Sequence, residues 1–462
     1  MKVGVITLGC DKNTVDSERY IAELGDYQGE LTTNLDDADV IIVNTCGFID
    51  AAKRESIDAI VSASSHKQTG RCQAVVAVGC MVERHREELA AELPEVDLFL
   101  GASDADRLVP ELIERGLLSG DAAVLHPGVR VYAGDLPHVR YLKISEGCDH
   151  GCAFCAIPLM RGKHRSFALG DVIREAQLLE MQGARELNLV AQDLAHYGRD
   201  VRDGNGLPQL LKALLSETDI PWLRMLYLYS AGITDELLDV VANEPRVLRY
   251  LDMPMQHAAD AVLTRMRRPE RKKTIREKVS RFRAAVPDVS IRTTCIVGFP
   301  GESEEQFDEL ADFLEEMQFE RVGVFTYSPQ EGTRAALLAD DVPDTIKRER
   351  LERLTEVQRG ITAARYEQRV GKTAVAIVDR VDEDNDSSIA RLQWQADDID
   401  GVTFLDEPLA PGTLAEVAVR EVVDDYDFSA SLIRVQSKPI ARKIVRERSL
   451  PLHAASVGSY GR

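Results

Sequence analysis

Residues 140–155 read RYLKISEGCDHGCAFC. The first six are a short strand, and the loop after it carries Cys148, Cys152 and Cys155 in a C-x3-C-x2-C arrangement. Three thiolates on one tight loop can hold three irons of a cubane cluster and leave the fourth iron open. A structural zinc site is the alternative. The usual spacing for zinc lacks a fourth ligand here, although His150 and His164 lie close in sequence. A disulfide framework fits less well, because eight cysteines in 462 residues are too few for one.

The strand at 140–145 opens a series: RYLKIS, ELNLVAQD, RMLYLYS, LRYLDMPM, VSIRTTCIVGF and RVGVFTYS. Helical stretches with apolar positions three and four apart separate these strands, for instance DVIREAQLLEMQ and ESEEQFDELADFLEEM. Six such units over residues 131–365, beginning after Gly128 and the loop near Pro137, predict an incomplete parallel (β/α)6 barrel. A charged helix over residues 344–370 leads out of it. The cysteine loop then sits at the carboxyl-end mouth, where such barrels place their chemistry. Other strand ends reach the same mouth. Gln192 and Asp193 end one strand, Met255 and Gln256 another, and the GFPGE turn, Gly298 to Glu302, follows a third. Polar side chains and glycines at strand ends suit a bound ligand, but also suit helix caps and plain turns.

Residues 1–130 alternate the strands KVGVIT, DVIIVNT and QAVVAVG with helical stretches such as AAKRESIDAIVSA, which predicts a small doubly wound α/β domain. Cys10, Cys46 and Cys80 follow those three strands. The carboxyl ends of parallel strands lie along one edge, so thiols 34 or more residues apart converge there. One such cysteine would be read as a small buried hydrophobe. Three at matching positions favour a second three-thiolate cluster. Cys72 and Cys295 fit neither set and are expected in the core.

Residues 366–436 turn to period two, TAVAIVD, SIARLQW, TLAEVAV and FSASLIRV, the pattern of a small antiparallel β-barrel. They hold 16 Asp/Glu and 6 Lys/Arg, net 6 − 16 = −10. Residues 437–462 have six Lys/Arg against one acid and are expected to be a mobile basic tail. The whole chain carries 56 Lys/Arg and 77 Asp/Glu, net −21, which disfavours general binding to nucleic acid or an anionic membrane. No apolar run reaches the ~20 residues of a membrane span, and no signal peptide is evident, so a cytoplasmic protein is expected. Residues 265–283, RMRRPERKKTIREKVSRFR, hold ten basic and two acidic residues. They read as a solvated helix face or as a docking patch for ribosomal RNA or an acidic electron donor.

With these motifs the chain resembles the methylthiotransferases of the radical S-adenosylmethionine superfamily over residues 1 to about 436. The resemblance rests on Cys10, Cys46 and Cys80, on CDHGCAFC, and on a last domain similar to TRAM. It implies two 4Fe–4S clusters and S-adenosylmethionine, which binds the open iron and yields a radical that takes hydrogen from an unreactive carbon. It also implies that the Cys10 cluster carries or donates sulfur, that a second S-adenosylmethionine supplies the methyl group, and that reductant and sulfur come from outside. Phe154, Gln192, Asp193, Gln256, Gly298, Phe299 and Pro300 are the expected contacts of S-adenosylmethionine.

One subfamily modifies a transfer RNA adenosine; the other modifies an aspartate of small-subunit ribosomal protein twelve. ITLGCDKNTVDSE, RMRRPERKKTIREK and DDYDFSASL resemble the second. The acidic last domain favours it independently, since it repels phosphate and attracts a basic protein. The expected partners are that ribosomal protein, a flavodoxin-like or ferredoxin-like electron donor, possible ribosomal RNA contacts, and no membrane. An iron–sulfur electron-transfer protein is the rival from another class.

Overall fold

A computed structural model describes residues 1–27, 29–120, 130–132, 134–202 and 204–439. Gly128 and the basic tail beyond Pro439 lie outside the described residues; Ser437 itself ends the last strand, Asp427–Ser437. Among the described residues no helix is long and apolar enough to cross a membrane.

The first domain is a five-stranded parallel sheet in the order Glu30–Leu31, Lys2–Thr7, Val40–Thr45, Ala74–Gly79, Leu98–Gly101. VIIVNT and AVVAVG are buried at every position, as strands covered on both faces must be. The three strands followed by cysteines are consecutive neighbours in this order, paired Thr7 to Asn44 and Thr45 to Gly79.

The second domain has six parallel strands: Val139–Lys143, Glu186–Val190, Trp222–Met225, Tyr250–Asp252, Ser290–Val297 and Arg321–Thr326. They form two three-stranded sheets joined where Leu223 meets Val247 in a parallel bridge. Leu187, Leu189, Leu223, Leu251 and Ile291 point outward into one apolar core with the helices. Strand alternation sends Glu186, Asn188, Arg224, Asp252 and Arg292 to the other side, so the barrel interior is polar.

Helix Asp344–Glu367 leads into the third domain, and its Tyr366 is buried in that domain's core beside Phe428. Five strands close a barrel there. Four of its seams are antiparallel, and one, Thr403–Leu405 against Asp427–Ser437, is parallel. The segment 393–400 seals the polar side of the larger barrel. Arg224 donates to the carbonyls of Gln393 and Gln395, at 3.2 and 3.0 Å, and Tyr250 donates to Asp400 at 2.6 Å.

The stretch 265–283 is less available than its composition suggests. Arg276 pairs with Glu316, Arg281 with Asp235 and Lys272 with Glu309, while Arg283 donates to the carbonyls of Met317 and Gln318. Arg268 is buried and turned inward. Most of this charge therefore braces neighbouring helices.

Candidate active site

The loop after Val139–Lys143 is held by main-chain bonds on every side. Cys148 N–H donates to the Gly162 carbonyl (3.1 Å), Ala153 N–H to Met266 (2.9 Å), and Ala335 N–H to Ala153 (2.8 Å). Gly147 has φ +77°, and a Cβ there would lie 2.1 Å from the Lys163 carbonyl oxygen, so only glycine fits. Burial pushes the Cys148 thiol up to about 11 and Cys155 up to about 12, and the neighbouring thiols add to both shifts. Arg268 lies 3.8 Å from Cys152 Sγ and stacks 4.0 Å over Tyr229. Cys148 and Cys155, costly to ionise without a cation, suit a cluster that supplies positive charge.

Asp193, an expected cofactor contact, is occupied instead as a clamp on this loop. Its Oδ2 faces His150 Nε2 at 2.8 Å and His196 Nδ1 at 2.6 Å, and its Oδ1 accepts from the N–H groups of Ala195 and Tyr229. Burial would raise this carboxyl, but the hydrogen bonds from His150 and His196 outweigh it and hold it well below the usual range. His150 also stacks on Tyr229, ring centroids 3.9 Å apart. Gln192 donates to Glu146 at 2.9 Å, while its buried Oε1 has no partner and is available to a ligand. Phe299 lies in one apolar cluster with Ala153, and Phe154 packs against it, so the GFPGE turn and the cysteine loop support each other. Pro300 is buried beside Phe299. Gln256, at φ +72°, sits level with Cys295 in an isolated bridge. The Cβ position of Gly298 faces Lys347 of helix Asp344–Glu367, 2.3 Å from its Cγ, so that glycine admits the helix rather than a ligand.

Cys10 precedes helix Asp11–Asp26, Cys46 follows Val40–Thr45, and Cys80 begins helix Cys80–Glu92. Burial pushes Cys46 up to about 11 and Cys80 up to about 12, and Cys10 raises both. Gly9 has φ +90°, and a Cβ on it would lie 2.7 Å from Cys46 Cβ and 2.8 Å from its Sγ. Asn13 spans two of the strand ends, donating to the carbonyls of Leu8 (2.8 Å) and Thr45 (3.1 Å). Cys72 and Cys295 are buried apart from both sets.

Thiolates sharing one zinc would lie about 3.8 Å apart, given Zn–S of about 2.3 Å and a tetrahedron. Among the described residues, the one group of three His, Cys, Asp or Glu ligand atoms within 4.8 Å of one another is His150, Asp193 and His196. Both cysteine triads are wider than that, which fits a polynuclear cluster better than a single ion.

The two triads are neighbours. Arg161, at the end of helix Ile157–Arg161, donates from Nε to Cys80 Sγ at 3.0 Å and from Nη1 to Asp16 at 2.6 Å and Glu146 at 3.3 Å. Lys143 pairs with the same two carboxylates. Burial would raise Asp16, but Lys143 and Arg161 hold its carboxyl down at about 2. Met160 and Ala156, just past the first triad, pack on Cys80 of the second. Tyr227, beyond strand Trp222–Met225, reaches Asp11 beside Cys10, its hydroxyl 3.4 Å from Oδ2. Arg161, Asn13, Lys143 and Tyr227 escaped sequence reasoning because nothing local marks a residue whose partner lies in another domain.

Residues 2–101 match the uncharacterized protein family UPF0004, 142–314 the radical SAM superfamily and 370–433 the TRAM domain. The "Ribosomal protein uS12 methylthiotransferase RimO" of Anaeromyxobacter sp. (strain Fw109-5) is 44% identical over 438 residues, 94% of this chain and 93% of that protein. The chain belongs to this methylthiotransferase family. Proteins of the same name from Symbiobacterium thermophilum and Geobacter sulfurreducens are 42% and 40% identical, covering 93% and 94% of this chain and 90% and 98% of their own lengths. Among solved structures, the radical S-adenosylmethionine methyltransferase TsrM from Kitasatospora setae, with tryptophan substrate and a SAM analog bound, superposes with TM-score 0.54 at 13% identity. That match covers 71% of this methylthiotransferase and 74% of TsrM, and shares the fold alone. Membership implies S-adenosylmethionine and 4Fe–4S clusters, and the two cysteine triads are the donor sets with the chemistry to hold the clusters.

Proposed function

We propose that this enzyme exchanges a hydrogen on the β-carbon of an aspartate in ribosomal protein uS12 for a methylthio group, in the cytoplasm. The observation that carries the reading is the adjacency of two three-cysteine sites linked by Arg161. When bound, the clusters and S-adenosylmethionine supply hydrogen abstraction and sulfur transfer. The chain supplies placement. Cys148, Cys152 and Cys155 hold one cluster, and Cys10, Cys46 and Cys80 hold the other. Asp193 fixes the first loop through His150, and Arg161 ties Cys80 to Asp16 and Glu146. Phe154, Gln192, Gln256, Phe299 and Pro300 are assigned to the S-adenosylmethionine pocket, with Asp193 and Gly298 supporting it.

The acidic third domain supports a basic protein substrate over transfer RNA. Glu383, Asp384 and Asp386 project from an exposed turn, in a domain of net charge −10 that would repel phosphates. An electron-transfer role is not favoured, because it leaves the second triad and the substrate-sized third domain without a task. A flavodoxin-like or ferredoxin-like protein is the expected reductant. Ribosomal RNA contact is left to the few uncommitted basic groups.

The test is one anaerobic turnover with a uS12 peptide deuterated at the aspartate β-carbon. Deuterium is expected in the 5′-deoxyadenosine product. A full yield of unlabelled 5′-deoxyadenosine would refute the proposed site of abstraction.

A further inference from the structure

An aspartate side chain brought to this site carries a charge into a region walled by thiols and other carboxylates. Lys12 lies two residues past Cys10, in the first turn of helix Asp11–Asp26, and is only 8% exposed. Its Nζ stands 3.4 Å from the centroid of the Tyr227 ring. Among the described residues it makes no hydrogen bond and no ion pair within 4.0 Å. The adjacent Asp11 interacts with it electrostatically but turns its Oδ2 to the Tyr227 hydroxyl.

Among the described residues, four other basic groups near the triads are committed. Arg161 and Lys143 serve Asp16 and Glu146. Arg268 serves Glu270 and the Pro254 carbonyl, and Arg292 serves Asp252 at 2.8 Å. The remaining buried lysines, Lys143 and Lys347, both have carboxylate partners. An ammonium withdrawn from water with no hydrogen bond or close ion pair is costly, and an aromatic face recovers only part of the loss. Such a group is complementary to an incoming anion. A single ammonium can balance one carboxylate, whereas a nucleic-acid backbone is gripped through several cations.

We propose that Lys12 receives the side-chain carboxylate of the substrate aspartate over the Tyr227 ring, and so sets the β-carbon between the first cysteine loop and the Cys10 triad. This assignment rests on the aspartate reading above and deepens it. Lys12 is then a specificity-determining residue: it distinguishes aspartate from its uncharged isostere asparagine.

The experiment uses full-length, cluster-loaded enzyme and two fluorescent uS12 peptides that differ only by aspartate or asparagine at the modified position. Kd is measured for both, with kcat/KM for methylthiolation of the aspartate peptide. Wild-type enzyme should prefer the aspartate peptide by about tenfold to a hundredfold, the range for one buried charge pair. Lys12→Met should bring the Kd ratio close to one, and Lys12→Arg should restore part of the preference. Iron content and the cluster spectrum check that each variant is loaded. If Lys12→Met loses its clusters, Lys12→Gln gives the same ratio with a polar tail. A Lys12→Met or Lys12→Gln enzyme that keeps the wild-type ratio overturns the assignment while leaving the aspartate reading intact. Wild-type enzyme that modifies no aspartate peptide overturns that reading and this assignment with it.

Discussion

Arg391 fastens the third domain to the radical barrel, and replacing it by methionine should loosen that junction measurably. Arg391 is 1% exposed, and its guanidinium reaches Glu186 of the barrel at 2.7 Å and Asp379 of its own domain at 2.6 Å. Arg224 shares Glu186 at 2.6 Å, and His138 shares Asp379 at 2.9 Å. Removing one partner from a buried ion pair costs about 3–5 kcal/mol, because the remaining charges stay in a poor solvent for ions. With a urea slope of about 3 kcal/mol/M, the midpoint should fall by roughly 1–1.7 M. Both tryptophans report on this junction: Trp222 and Ile377 share one apolar cluster across it, and Trp394 lies in the segment that seals the barrel. Tryptophan fluorescence in urea is therefore the assay. Burial alone would raise the carboxyls of Glu186 and Asp379, but Arg391, together with Arg224 on Glu186 and His138 on Asp379, holds both below their ordinary 4.5 and 3.8. Groups with depressed folded values stabilise above their unfolded values and lose that contribution as pH falls. The deficit of Arg391→Met should therefore be full at pH 7 and shrink below about pH 4. Adding Glu186→Gln to Arg391→Met should recover part of the loss. A deficit under about 1 kcal/mol at pH 7, the level of an exposed pair, would refute the reasoning.

Cys152→Ala should abolish S-adenosylmethionine cleavage, whereas Cys46→Ala should retain cleavage and lose methylthiolation; iron analysis and chromatographic detection of 5′-deoxyadenosine separate the two. Gly9→Ala should weaken the second cluster selectively, since φ +90° costs an alanine about 1–2 kcal/mol and its Cβ crowds Cys46; iron content of about half the wild-type value is the readout. Burial holds Asp397 above its usual carboxyl value, so its ionisation opposes folding as pH rises past about 4. Asp397→Asn should accordingly stabilise the junction at pH 8 and change little at pH 4, followed by the same fluorescence transition.

The three-part architecture was legible because each signal is local. A strand is written in its own residues, and a cysteine at a strand end inherits its position from the sheet. The parallel seam in the last barrel was not legible, because a short strand such as Thr403–Leu405 carries no mark of its pairing direction. The polar barrel interior was equally hidden, since Glu186, Arg224 and Arg391 acquire meaning only once the third domain is docked. At 265–283 composition left a solvated helix face and a docking patch open, and it could not show that much of this charge braces adjacent helices. Asp193 was read as a ligand contact from its place at a strand end; of the histidines that occupy it, His150 comes from the cysteine loop and His196 from the turn that Asp193 itself caps. Arg161, which joins the two triads, has no sequence signature at all.

Mass spectrometry after one anaerobic turnover tests the central claim most directly. Reconstituted enzyme, S-adenosylmethionine, sulfide and reductant are offered a uS12 peptide and unmodified transfer RNA together. A methylthio mass gain confined to the aspartate of the peptide is the predicted result. A gain on transfer RNA with none on the peptide would contradict the account, and with it the view that the acidic third domain selects a basic protein.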